Sequence, residues 1–142
     1  IDIKYATPVG FEPDADVVSR AVTMASDNGS SVISSNDPVE VVSDAGVVYT
    51  DVFVSMGEES LDGKMSAFDG FQISEELVSH ADSNYLFMHC LPAHRGEEVT
   101  DGVIDSKNSV VFEQAENRMW AQMSLLTRMC NEAAWHTYNE LY

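Results

Sequence analysis

The sequence predicts an α/β fold, a parallel sheet with helices on both faces, and three observations carry that expectation. Short runs rich in β-branched and aromatic residues alternate with stretches of helical periodicity. The connections are short, so successive strands must be joined by crossover helices and run parallel. The run YLFMH (85–89) is nearly all apolar, as a strand buried on both faces would be.

Taken in order, IKYAT (3–7) reads as a strand and PVGFEPD as the turn after it. A helix follows over 15–29, with Val17, Val18, Ala21, Val22 and Ala25 at near-helical spacing and Asn28-Gly29 as its stop. SVISS (31–35) is a second strand. Asp37 then caps a short helix that has Pro38 at its first position. GVVYTDVFV (46–54) is a third strand with the loop beyond it. The stretch from Glu58 to Ala81 reads as two helical pieces broken near Gly70. YLFMH is the fourth strand and SVVF (109–112) a fifth. The segment from Gln114 to Leu141 is the clearest helix, with Met119, Met123, Leu126, Cys130, Ala133 and Ala134 on one stripe. It is long for a helix that covers only its own sheet, and is expected to reach toward another domain.

The 142 residues suffice for one domain with a real core. Against 7 basic residues stand 24 acidic ones, a net charge of −17. Phosphate binding needs Lys and Arg, so nucleic acid and anionic membranes are poor partners. The acid is spread along the chain and reads as a solvated surface; it would also suit a salt-rich cytoplasm, where ions screen self-repulsion. No apolar run approaches the ~20 residues of a membrane helix. The two cysteines, Cys90 and Cys130, make no disulfide framework and suit a reducing compartment. The chain opens inside a strand pattern without Met, which suggests a piece of a longer protein.

In parallel sheets of this kind, ligands bind beyond the carboxyl ends of the strands. That rule singles out Thr50–Gly57, His89–Gly96 and Glu113–Arg118 as loops converging on one edge. In TDVFVSMGEE (50–59), Asp51 offers a carboxylate, Ser55 a hydroxyl, and the glycine turn exposed backbone N–H groups. Together they suit a zwitterionic amino acid; the alternative is a helix cap on Ser55. In HCLPAHR (89–95), His89, Cys90 and His94 do not form a metal-ligand spacing. Cys90 is either a reactive thiol, its pKa depressed beside His89 and Arg95, or a buried structural cysteine. Arg118 offers a rigid fork for phosphate or a polarised carbonyl; the alternative is a surface pair with Glu113 or Glu116. Trp120 and Trp135 read as packing residues, His80 and His136 as surface histidines, Cys130 as core, and the Gly-Glu-Glu runs as solvated charge or helix starts. Tyr49 needs no account beyond its strand. No Walker loop, GxGxxG or GxSxG pattern occurs.

These residues resemble the ornithine carbamoyltransferases over most of the chain. IKYATPVGFEPD is similar to the second strand of that family's ornithine domain, and TDVFVSMGEE to its Asp-x-x-x-Ser-Met-Gly motif. FMHCLPAHRGEEVTDGVIDSKNSVVFEQAENRMWAQ resembles its Cys-containing catalytic loop and C-terminal helix almost position by position. Aspartate-using relatives typically carry proline where Cys90 stands and lack Ser-Met-Gly.

The resemblance implies a Rossmann-like fold whose first strand and helix are missing here, so that residues 1–142 form a fragment of an ornithine-binding domain. It implies carbamoyl transfer from carbamoyl phosphate to L-ornithine, giving citrulline and phosphate, without metal or organic cofactor. Asp51, Ser55 and Met56 would bind ornithine. Cys90 and the carbonyl of Leu91 would flank the δ-nitrogen and the carbamoyl group, Arg118 would contact carbamoyl phosphate, and His89 and Pro92 would shape the loop. The partner implied is an N-terminal carbamoyl phosphate domain bearing a Ser-x-Arg-Thr-Arg motif, which this sequence does not contain. The family also implies a homotrimer and a cytoplasmic setting, or a mitochondrial matrix in a eukaryote. The fragment alone is expected to be inactive. Two other functions stay open: transfer to another amine such as putrescine, and a non-catalytic amino-acid-binding module.

Overall fold

The computed structural model describes residues 1–54 and 64–130. The strands are β1 (Ile3–Ala6), β2 (Val32–Ser35), β3 (Val47–Thr50) and β4 (Leu86–His89). The helices are α1 (Ala15–Asp27), α2 (Pro38–Val42), α3 (Lys64–Ala67), α4 (Glu75–Val78), α5 (Asp101–Ile104) and α6 (Val111–Cys130). Residues 131–141 of the expected last helix, and Ser55 and Met56, lie outside the described residues.

Local chemistry sets many boundaries. Asp14 caps α1 by accepting from the backbone N–H groups of Asp16 and Val17. Asp37 caps α2 by accepting from Val39 N at 2.9 Å, with Pro38 at the first position, as its sequence implies. Gly70 has φ +87°, a left-handed turn that only glycine adopts cheaply, and it separates α3 from α4. Ser74 caps α4 through Leu77 N.

All strand pairing is parallel. β1 pairs with β2, and β3 with β4 in the register Val48↔Phe87 and Thr50↔His89. Each two-stranded sheet is separate among the described residues. Between them lies a cavity of about 880 Å³, lined by β1, by all of β3 and by α2, but by no residue of β2 or β4. The edges of β1 and β3 that face it pair with no described strand.

The core forms on one face of β3 and β4. Val48, Phe87 and His89 point into it and meet α4, α5 and the start of α6 through Leu77, Val103, Ile104 and Val111. The opposite face, with Val47, Tyr49 and Leu86, is exposed. β4 is therefore covered on one face rather than two, contrary to what its apolar run implies.

Three further expectations are corrected. The fifth strand shrinks to a single bridge, Ser109 beside Phe87, because α6 begins at Val111. The Phe87 N–H donates to Asn108 O at 2.8 Å, and the Val110 N–H to Phe87 O at 3.0 Å, which completes the contact. The apolar stripes of α1 and α6 are uncovered: α1 buries no residue, and Met119, Met123 and Leu126 are about half exposed. Trp120 and Cys130 are exposed as well, so neither packs in a core. Helical spacing marks a face that can be buried without supplying its partner. Helix α5 was not expected from the sequence at all. No helix among the described residues is long and apolar enough to cross a membrane.

Candidate functional site

Because Thr50 is paired with His89, the next residues leave the sheet side by side. These are Asp51 and Cys90. The Cys90 Sγ donates to Asp51 Oδ1 at 3.0 Å, and the Val52 N–H donates to the same oxygen at 2.7 Å. Two loops 39 residues apart in sequence thus meet at one carboxylate.

The electrostatics follow from that contact. The Cys90 hydrogen bond, and after it the Val52 N–H, hold the Asp51 carboxyl below its ordinary value. Burial, then the hydrogen bond to Asp51, push the Cys90 thiol above its ordinary value. This corrects the expectation of a depressed thiol. Near neutral pH, Cys90 is a neutral S–H donor beside a carboxylate, not a thiolate nucleophile. Arg95, the cation expected to depress it, is turned toward α5, bonding Asp101 at 2.8 Å and Asp105 at 2.6 and 2.8 Å. Tyr49 lies in the same cluster. Its phenol is raised by burial and by the neighbouring Cys90.

Behind Cys90 is a buried polar arrangement. The Leu91 N–H donates to His89 Nδ1 at 2.9 Å, and His89 Nε2 lies 3.2 Å from Glu98 Oε1. The Nδ1 that accepts carries no proton, so Nε2–H is the donor to Glu98. Both side chains are fully buried. The same Glu98 oxygen accepts from His94 N at 2.6 Å. The His89 N–H donates to Gln114 Oε1 at 3.0 Å, tying the end of β4 to the first turns of α6. Leu91 has φ +55°, a left-handed conformation costing an L-residue roughly 1–2 kcal/mol. The hydrogen bond to His89 helps to hold it there. The Leu91–Pro92 peptide is cis.

Arg118 stands in α6, within the helix expected from Gln114 onward; the stretch Glu113–Arg118, also expected among the loops, lies wholly in that helix. It lies four residues beyond Gln114, on the same side of the helix and about 6 Å farther along the axis. It forms no ion pair among the described residues, and Glu116 instead accepts from Trp120 Nε1. The large cavity between the sheets includes Asp51 but neither Cys90 nor Arg118, and Arg118 is exposed, so the structure joins Asp51 to Cys90 but does not bring Arg118 into contact with them among the described residues. His94, Glu97 and Glu98 bring ligand atoms within 4.8 Å of one another, the one such group among the described residues. Glu98 Oε1 is already engaged by His89 and by His94 N, and the other two side chains are half exposed, which fits a hydrogen-bonded turn better than a metal cage.

Three members of this cluster escape a reading of the sequence. Tyr49 fits its strand without further comment, Gln114 fits the first turns of a helix, and Glu98 fits a run of solvated charge. Burial alone distinguishes Glu98, and no periodicity in residues 96–99 signals it.

Comparison with known proteins decides the family. The model of the aspartate/ornithine carbamoyltransferase Asp/Orn-binding domain matches residues 1–129. The chain belongs to this family. Among curated relatives it is 55% identical over 129 residues to a catabolic ornithine carbamoyltransferase of Thermoplasma acidophilum, covering 90% of this chain and 42% of that protein. It is 53% identical over 126 residues to an anabolic one of Pyrococcus furiosus, covering 88% of this chain and 40% of that protein. Among solved structures, the ornithine carbamoyltransferase from Pyrococcus furiosus superposes with a TM-score of 0.83 at 53% identity, over 89% of this chain and 41% of that one. An anabolic ornithine carbamoyltransferase from Campylobacter jejuni gives 0.83 at 35% identity, over 92% and 43%. The fold is therefore the Rossmann-like α/β fold of these enzymes, and the chain spans well under half the length of the relatives it matches.

Proposed function

We propose that the chain is the ornithine-binding half of an ornithine carbamoyltransferase, which moves the carbamoyl group of carbamoyl phosphate to the δ-amino group of L-ornithine and releases citrulline and phosphate. The observation that carries this reading is the 3.0 Å contact between Cys90 and Asp51 at the carboxyl ends of two paired parallel strands. It sets a carboxylate and a neutral thiol side by side where such sheets bind ligands.

In this scheme Asp51 receives the α-ammonium of ornithine, and Ser55 and Met56 complete the head-group site. The δ-ammonium loses one proton to solvent, its lone pair bonds to the carbamoyl carbon, and the second proton that the nitrogen then sheds passes to a phosphate oxygen of the leaving group. Cys90 S–H and the Leu91 carbonyl orient that nitrogen. Arg118 faces the carbamoyl oxygen, on which negative charge develops in the tetrahedral state. The bond from carbon to the phosphate oxygen then breaks. Most of the rate comes from alignment and exclusion of water. His89 and Pro92 shape the loop, and no cofactor is called for.

The rest of the enzyme supplies the phosphate-binding groups. The unpaired edges of β1 and β3 and the cavity between them suit one further parallel strand, supplied by polypeptide outside these 142 residues. The exposed stripe of α6 suits contact with the carbamoyl phosphate domain. A homotrimer in the cytoplasm goes with this reading.

The test is citrulline formation by the full-length enzyme. Cys90→Ala should lower kcat at least tenfold while a bisubstrate analogue still binds, and Asp51→Asn should raise KM for ornithine. The 142-residue chain alone should give no turnover. An unaltered rate in Cys90→Ala, or putrescine used in preference to ornithine, would reject the reading.

A further inference from the structure

We infer that Glu98 is a positioning residue, which acts through the His89 ring to set the backbone of Leu91 beside the Asp51–Cys90 site. The inference rests on the proposed role of that site in carbamoyl transfer. It concerns a residue that touches neither Asp51 nor Cys90.

Two contacts form a directional chain. The His89 Nε2–H donates to Glu98 Oε1 at 3.2 Å, which leaves Nδ1 free to accept from the Leu91 N–H at 2.9 Å. Without an acceptor at Nε2, the ring has no reason to keep its proton there. A proton on Nδ1 would point at the Leu91 N–H and push that peptide away. The peptide in question is the one that joins Cys90 to Leu91, and Leu91 is held at φ +55°. The same Glu98 oxygen accepts from His94 N at 2.6 Å, so the carboxylate also closes the loop on its far side. Glu98 and His89 are both fully buried. Glu98 Oε2 has no hydrogen-bond partner among the described residues.

The experiment uses the full-length enzyme with Glu98→Ala, Glu98→Gln, His89→Ala and the Glu98→Ala/His89→Ala double variant. Ring ¹⁵N spectra of His89 report the tautomer independently of turnover. The wild type should show a protonated Nε2. Glu98→Ala should mix the tautomers and lower kcat 30- to 100-fold, with KM for ornithine within threefold. Glu98→Gln keeps an accepting oxygen, so it should preserve the tautomer and return kcat to within fivefold of wild type. The double variant should be no worse than the poorer single one. Multiplying losses in the double variant, a wild-type His89 protonated at Nδ1, or a Glu98→Gln enzyme with the native tautomer but a loss above 50-fold would overturn the inference. Should Glu98→Ala fail to fold, the Gln variant and the wild-type spectrum decide it. A wild-type enzyme with the expected tautomer but no carbamoyl transfer to ornithine would instead reject the functional reading.

Discussion

Phe87 couples the core to the site, and its truncation gives the most direct measure of that coupling. The side chain is completely buried, and Cys90 follows three residues later along the same strand and loop. Phe87→Ala removes roughly 2 kcal/mol of transfer free energy. It also leaves a cavity of up to roughly 100 Å³, worth a further ~2 kcal/mol at about 24 cal/mol per Å³. The sum, about 4 kcal/mol, is a large part of what holds a domain together. The Phe87 N–H and C=O both bond the segment 108–110, so opening this contact exposes β4 and the start of α6 together. Hydrogen exchange measured on a peptide spanning 85–91 should therefore speed up on the order of 10³-fold, since about 1.4 kcal/mol is a factor of ten. Phe87→Leu should cost under about 1.5 kcal/mol and speed exchange roughly tenfold or less. Exchange in Phe87→Ala within fivefold of wild type would show that the core does not hold the Cys90 strand in the way described.

Two further outcomes follow from the charges. The Cys90 thiol, raised by burial and by Asp51, should alkylate slowly with iodoacetamide at pH 8 and faster only as pH climbs past 9. Asp51→Asn removes the charge that opposes the thiolate and should quicken alkylation at pH 8 severalfold; an unchanged or slower rate contradicts the assignment. Asp105, held below the usual carboxylate range by Arg95, contributes stability that is present above pH ~4 and lost as pH falls through its folded value. The melting temperature of Asp105→Asn should thus lie slightly below wild type at pH 7 and coincide with it at pH 2. The gap is small because the pair is exposed, and a gap that widens in acid would reverse the sign argued here.

Capping and turn chemistry were legible because they are local. Asp37-Pro38, Asn28-Gly29 and Gly70 each specify a backbone conformation within a few residues, and each stands where its chemistry puts it. The order of the four main strands was legible for the same reason, since strand and helix periods differ. SVVF misled because β-branched residues suit a strand, while the chain at Val111 was already turning into α6. Glu98 misled because two adjacent glutamates normally seek water, and only the fold sets one of them against a buried imidazole.

By itself, the sequence determined the alternation of strand and helix, the caps and breaks, the strong negative charge and the motif residues Asp51, Cys90 and Arg118. All of these depend on side-chain chemistry over a few neighbouring positions. Only the tertiary structure decided that Cys90 is a protonated thiol rather than a thiolate, that Arg95 serves α5, and that Tyr49, Gln114 and Glu98 join the cluster. Those outcomes depend on burial and on distances between residues far apart in the chain. A pKa or a proton's place on an imidazole ring is set by what surrounds the group in space, which linear spacing does not encode.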